Sequence, residues 1–295
     1  MMRWKTKITQ LTGIKYPVIM GAFAGVGRAK FAAKFSDTGG LGIITALNFN
    51  TNKEFREELQ TMKNLTNRPF GINFSIMPPE MAKRVSNPKN ERYYLDFVDI
   101  ALDNGVKIFT TSAYQAPNIG KKIHKAGGLW FHKCTTLKHA QSAENLGADA
   151  ITLVGLEGTG FKNPLQNTTL VNITMAKRLL KVPIIAAGGI GDARGFLAAL
   201  AMGAEAVCFG TAIMATEECG APHSYKRKLI HQDIFDPKYH KKIFHYQLKD
   251  KAIWSPAAGH IEQVIPLKSF IDNIISDAEK ILRSWGYRGD DFSTL

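Results

Sequence analysis

Short apolar runs alternate with longer amphipathic segments along most of this chain. Eight runs read as strands: PVIMG at 17–21, LGIIT at 41–45, PFGINF at 69–74, KIFTT at 107–111, LWFHK at 129–133, AITLVG at 150–155, PIIAAG at 183–188 and AVCFG at 206–210. The segments 30–38, 52–64, 91–104, 117–126, 137–146, 168–180 and 193–202 between them carry helical periodicity. Gly39, Gly105, Gly127, Gly147 and Gly203 follow several of these segments, as a left-handed helix terminus prefers. Such alternation is the signature of βα units around a parallel sheet. Eight strands within about 200 residues predict an α/β protein, a closed (β/α)8 TIM-like barrel rather than an open doubly wound sheet.

The rhythm breaks after Thr211. Residues 223–251 hold eight Lys/Arg against three Asp and no clear βα unit, which predicts a smaller helical, basic insertion on the mouth side of the barrel. An amphipathic helix over 267–284 then resumes as a closing outer helix, and the tail 286–295 reads as frayed. The expected organisation is a barrel over 1–216, a basic insertion or lid lobe over 217–254, and a return segment with the closing helix over 255–295.

Composition narrows the class. With 295 residues and 45% hydrophobic content the chain is no disordered basic tail, because it can bury roughly three quarters of its unfolded surface. Cys134, Cys208 and Cys219 are an odd number without metal spacing, so a reduced chain with no disulfide and no metal is expected. No apolar core follows the basic start MMRWKTKITQLTG, and no run approaches the ~18 apolar residues of a span. A cytoplasmic protein with no membrane partner is the expectation. The net charge of +13 is accompanied by no helix-turn-helix, zinc finger or aromatic-basic motif, so no nucleic-acid partner is expected.

The chemistry-bearing residues fall at strand ends. AAGGIGD at 186–192 and FGT at 209–211 follow the seventh and eighth strands of the series, where barrels commonly build a phosphate cradle from glycine backbone N–H groups. Ordinary turns with Asp192 capping the next helix explain the same string and are compatible with it. Gly21 with Ala22, Asn73, Lys133 and Glu157 end other strands, whose C-termini converge on one mouth. Asn73 can donate to and accept from a planar heterocycle, and Lys133 can stabilise anionic charge on one. A surface lysine and a satisfied loop amide are the plain alternatives. A phosphate site beside this ring points to a mononucleotide such as a flavin.

PVIMGAFAGVGRAKFAAKFSDTGGLGIIT, FGINF, HKCTTLKHAQSAENLGADAI, AAGGIGDARGFLAALAMGAEAVCFGTAIMATEE and AAGHIEQV together resemble the nitronate monooxygenase (2-nitropropane dioxygenase) family, in order and spacing and over nearly the whole chain. That family includes FMN-dependent enoyl-acyl-carrier-protein reductases and NAD(P)H:quinone reductases. The resemblance implies an FMN-bearing barrel. It assigns flavin contacts to Gly21, Ala22, Phe23, Asn73 and Lys133, and the phosphate to Gly188, Gly189, Gly210 and Thr211, with Ile190 and Phe209 lining it. After the sixth strand the family reads Glu-Ala-Gly-Gly-His, whose histidine is the proposed base for neutral nitroalkanes. This chain reads GLEGTGFKNP, with Glu157 and Gly160 matching and Phe161 in place of the histidine. A phenyl ring accepts no proton, so base-dependent nitroalkane oxidation is expected to be poor, whereas a nitronate is already deprotonated.

Other groups are candidates to replace that histidine. Strand alternation puts His132 opposite Lys133; His260 lies in a stretch that returns near the mouth in the family; Glu157 suits an acid, a base or a structural acceptor; Cys134 suits packing. The catalytic candidates are therefore Lys133, Glu157 and His260. The expected activity is FMN-dependent oxidation of alkyl nitronates with O2. NAD(P)H-dependent reduction of quinones or enoyl thioesters is the alternative, and a non-catalytic FMN-binding or phosphate-ligand barrel is a third reading. The expected partners are a small, anionic substrate, NAD(P)H and a second copy of the chain in a homodimer. An IMP-dehydrogenase-like barrel needs a nucleophilic cysteine after the sixth strand, and GTGFKNP has none.

Overall fold

A computed structural model describes residues 2–84, 86, 88–160, 163, 165–237 and 255–293. The chain opens with β1 (Arg3–Lys5) and α1 (Lys7–Thr12). Eight parallel strands follow: β2 (Val18–Met20), β3 (Gly42–Thr45), β4 (Phe70–Ser75), β5 (Ile108–Ser112), β6 (Leu129–Cys134), β7 (Ala150–Val154), β8 (Ile184–Ala187) and β9 (Ala206–Phe209). Helices α2 (Ala29–Asp37), α3 (Asn52–Leu65), α4 (Pro79–Ala82), α5 (Glu91–Asp103), α6 (Pro117–Lys125), α7 (Leu137–Asn145), α8 (Thr169–Leu179) and α9 (Ala193–Ala201) alternate with them. After β9 come α10 (His223–Ile230), α11 (Leu267–Ser284) and β10 (Asp291–Ser293).

Strands β3 to β9 pair in chain order, and β9 pairs β2 with Ile19 opposite Cys208. The bridge between Ile19 and Leu41, with the Met20 N–H donating to the Leu41 carbonyl at 2.9 Å, joins β2 to the β3 edge. The sheet is thereby a TIM barrel, and α11 packs on α9 and α2 beside this seam. Every residue of β3, β7, β8 and β9 is buried, since side chains fill the interior and helices cover the outside. This double burial is why the strands read as continuous apolar runs rather than alternating ones.

Several helices start at a side-chain cap. Thr51, Asn90, Thr136 and Asp192 side chains each accept from a backbone N–H three residues on. The five helix-terminating glycines named above all adopt positive φ.

One expectation is corrected. Within the tail read as frayed, Asp291–Ser293 forms β10, which pairs in parallel with β1. Arg3 and Lys5 flank the buried Trp4, and both bond the Asp291 carboxylate, while Trp4 packs on Phe196 and Phe292. Two three-residue strands separated by nearly the whole chain leave no periodic signal. Residues 238–254 of the expected insertion lie outside the described residues. Among the described residues no helix is long and apolar enough to cross a membrane.

Candidate active site

The C-terminal ends of the strands surround a cavity of about 850 Å³, within the range usual for small-molecule and cofactor sites. Its wall includes Gly21, Ala22 and Phe23 after β2, Ser75 ending β4, Ser112 ending β5, and Lys133 and Cys134 in β6. Gly188, Gly189 and Ile190 after β8, and Gly210 and Thr211 after β9, complete the far side. Parallel pairing puts all these ends on one face, which is why positions so far apart in sequence meet.

The glycine loops are built for a close backbone approach. Gly188 and Gly189 have φ of +105° and +75°, and a Cβ on Gly188 would stand 2.9 Å from the Gly158 backbone nitrogen. At Gly21 a Cβ would stand 2.9 Å from the Phe209 carbonyl, to which the Gly21 N–H donates at 2.8 Å. Side chains are thus excluded and the backbone itself forms this part of the wall, as a phosphate cradle needs. The Asp192 carboxylate caps α9 by accepting from the Gly195 N–H at 2.7 Å. Thr211 is tied to the return segment, its hydroxyl accepting from the Ser255 N–H at 3.1 Å.

Lys133 and His132 both border the cavity, but they are committed differently. The His132 ring bonds the buried Thr111 hydroxyl at 2.8 Å, and Trp130 Nε1 donates to that same hydroxyl. Burial, with a smaller contribution from His139, lowers the His132 pKa to about 4, so the ring is neutral. Burial pushes the Cys134 thiol up to about 12, and it raises Cys208 too, with nearby Lys133 acting in the opposite direction. Both thiols are held protonated and poorly nucleophilic.

Four sequence-predicted residues are absent from the cavity wall. Asn73 is 1% exposed and sits one layer deeper, its Nδ2 donating to Thr110 Oγ1 at 2.8 Å and its Oδ1 accepting from Ser75 at 3.0 Å. Phe209 is fully buried and packs edge-on against Phe270. Glu157 caps α8: its Oε2 accepts from the Thr169 N–H at 2.9 Å and the Thr169 hydroxyl at 3.0 Å. The His260 side chain is 43% exposed, with Nδ1 4.0 Å from the Asp192 carboxylate. Phe161 lies outside the described residues.

The wall also contains residues that sequence reading missed, among them Thr45, Ser75, Ser112, Gln115, His139 and Tyr225. Ser75 shares inner-face parity with Asn73, so period-two counting offered a signal for it. His139 had none, since it stands on α7 rather than on a strand. Ala113, beside Ser112, has φ of +73°, a conformation costing a residue with a Cβ roughly 1 kcal/mol. Among the described wall residues there is no Asp or Glu.

A family model for nitronate monooxygenase matches residues 5–242. The chain belongs to the nitronate monooxygenase family. This family comprises FMN-dependent oxidoreductases, and FMN is the cofactor of this member. The cavity fits it: side-chain-free loops at Gly188, Gly189 and Gly210 suit the phosphate, and Lys133 with the neighbouring hydroxyls suits a polar heterocycle.

Relatives within and around the nitronate monooxygenase family carry different names. The chain is 28% identical over 239 residues to a hydroxy-methyl-oxo-octahydroindene-carboxyl-CoA dehydrogenase of Rhodococcus jostii, covering 81% of this chain and 63% of that protein. The chain thus spans less than two thirds of that relative. It is 27% identical to a probable nitronate monooxygenase of Staphylococcus haemolyticus, covering 80% and 74% of the two chains. The structure is similar to FabK from Thermotoga maritima, with a TM-score of 0.82 and 25% identity over 96% of this chain and 98% of that one.

Proposed function

We propose that this chain is an FMN-dependent oxidoreductase of small anionic substrates, with alkyl nitronates as the leading class. The observation that carries this reading is the charge of the cavity wall. Lys133 lies on it, and the described wall residues include no carboxylate. Such a wall attracts an anion and offers no carboxylate as a base.

Bound FMN supplies two-electron redox chemistry. Lys133 stabilises negative charge within the cavity, and the backbone of Gly188, Gly189 and Gly210 holds the phosphate. Glu157 is spent on capping α8, and His260 is absent from the wall. Neither is proposed as the base. With Phe161 at the family's histidine position, a substrate that arrives deprotonated is favoured.

Anaerobic bleaching of the flavin tests this. Propyl-2-nitronate is expected to bleach it at least about 10²-fold faster than neutral 2-nitropropane, the size of a missing general base. Equal rates overturn the reading. A second reading, NAD(P)H-dependent reduction of enoyl thioesters or quinones, is favoured by likeness to FabK and to the CoA-ester dehydrogenase. Anaerobic bleaching by NADH or NADPH supports it, and no bleaching by either removes it.

A further inference from the structure

We propose that Ser75 and Ser112 form a hydrogen-bond-accepting pair in the cavity wall, set by Asn73 behind them, and that this pair receives the ring N–H of FMN. Ser75 and Ser112 are register partners on β4 and β5, and both line the cavity. Their hydroxyl oxygens are 3.2 Å apart, and Asn73 Oδ1 lies 3.0 Å from the first and 3.4 Å from the second. Three oxygens thus form a closed triangle holding two hydroxyl hydrogens.

The amide orientation decides where those hydrogens go. Asn73 Nδ2 faces Thr110, within 2.8 Å of its hydroxyl and 3.5 Å of its carbonyl. The carbonyl can only accept, so the amide nitrogen belongs on that side and Oδ1 faces the serines. Oδ1 can only accept as well. Ser75 donates to Oδ1 at 3.0 Å, and Ser112 has acceptors inside the triangle at 3.2 and 3.4 Å, so each hydroxyl can place its hydrogen there and present lone pairs to the cavity.

An acceptor pair selects a donor. Oxidised FMN carries a single ring N–H, at N3 between two carbonyls, and it is the flavin donor that such a pair would recognise. An unmatched acceptor or an occluding methyl there forfeits a hydrogen bond, a loss usually worth a few-fold to about tenfold in affinity. Asn73 acts here as a positioning residue: it meets the ligand through the two serines, one layer away.

The test is a competition on the full-length holoenzyme, equilibrated with excess N(3)-methyl-FMN, followed by quantifying the two flavins retained. Wild-type protein is expected to favour FMN over the methylated analogue by about fivefold or more. Ser75→Ala and Ser112→Ala each lower that preference, and the double variant brings it close to one. Asn73→Ala lowers the same ratio, whereas a purely structural Asn73 would reduce retention of both flavins alike and leave the ratio unchanged. A wild-type protein without preference overturns the proposal with no variant needed. An equal ratio in wild type and double variant also overturns it.

Discussion

His132 and Lys133 are adjacent and both border the cavity, yet the His132 ring is held in a buried bond to the Thr111 hydroxyl on the neighbouring strand. The buried bond to Thr111 fixes His132 as neutral, with its folded pKa near 4 against an ordinary 6.5. The sign of the consequence follows. Between pH 6.5 and 4 the unfolded chain binds a proton that the folded chain does not, so stability contributed above pH 6.5 is lost as pH falls. The expected loss is up to about 3 kcal/mol, read as urea unfolding free energy from pH 7 to 4. His132→Gln is expected to flatten that slope, and an unchanged slope would assign the acid sensitivity to other groups. Alternation along a strand predicted opposite faces for His132 and Lys133, whereas both border the cavity. The commitment of Glu157 to Thr169 was not legible, because a cap twelve residues away depends on how the loop after β7 returns.

Elements after β9 meet at a crossing that the sequence pattern gave only as a basic stretch. Lys226 on α10 is 4% exposed, and its ammonium donates to the Thr216 carbonyl at 2.7 Å and the Glu217 carbonyl at 3.2 Å. The Glu217 N–H in turn donates to the Ile265 carbonyl, and the Glu218 carboxylate accepts from the Leu267 N–H that opens α11. Lys226 is therefore an internal tie rather than part of a surface charge patch with Arg227 and Lys228. Lys226→Met is expected to lower unfolding stability by about 1–3 kcal/mol, since it leaves carbonyl groups without a donor, as denaturant titration would measure. A loss below a few tenths of a kcal/mol would mean that water replaces the ammonium. Helix boundaries, by contrast, were legible, because caps and terminating glycines are local signals.

At the scale of the whole molecule, two exposed members of the 38 Lys+Arg stand on a helix that reaches the cavity. Tyr225 of α10 lines the cavity, and Arg227 and Lys228 on the same helix are exposed. Arg227→Gln with Lys228→Gln is expected to raise KM for an anionic substrate about two- to fivefold at low salt, and the difference should vanish at high salt. An unchanged KM at both ionic strengths would leave these charges with solubility alone.

The sequence by itself determined the barrel and the glycine loops of its mouth. Strand and helix periods, capping residues and glycine positions are short-range constraints written in consecutive residues. Only the tertiary structure decided that Asn73 lies behind Ser75 and Ser112, that Glu157 is a cap, that His260 stands off the wall and that β1 pairs with β10. Each of these depends on which residues meet across strands or across most of the chain. Such meetings are fixed by barrel closure and register, and a local pattern carries no record of them.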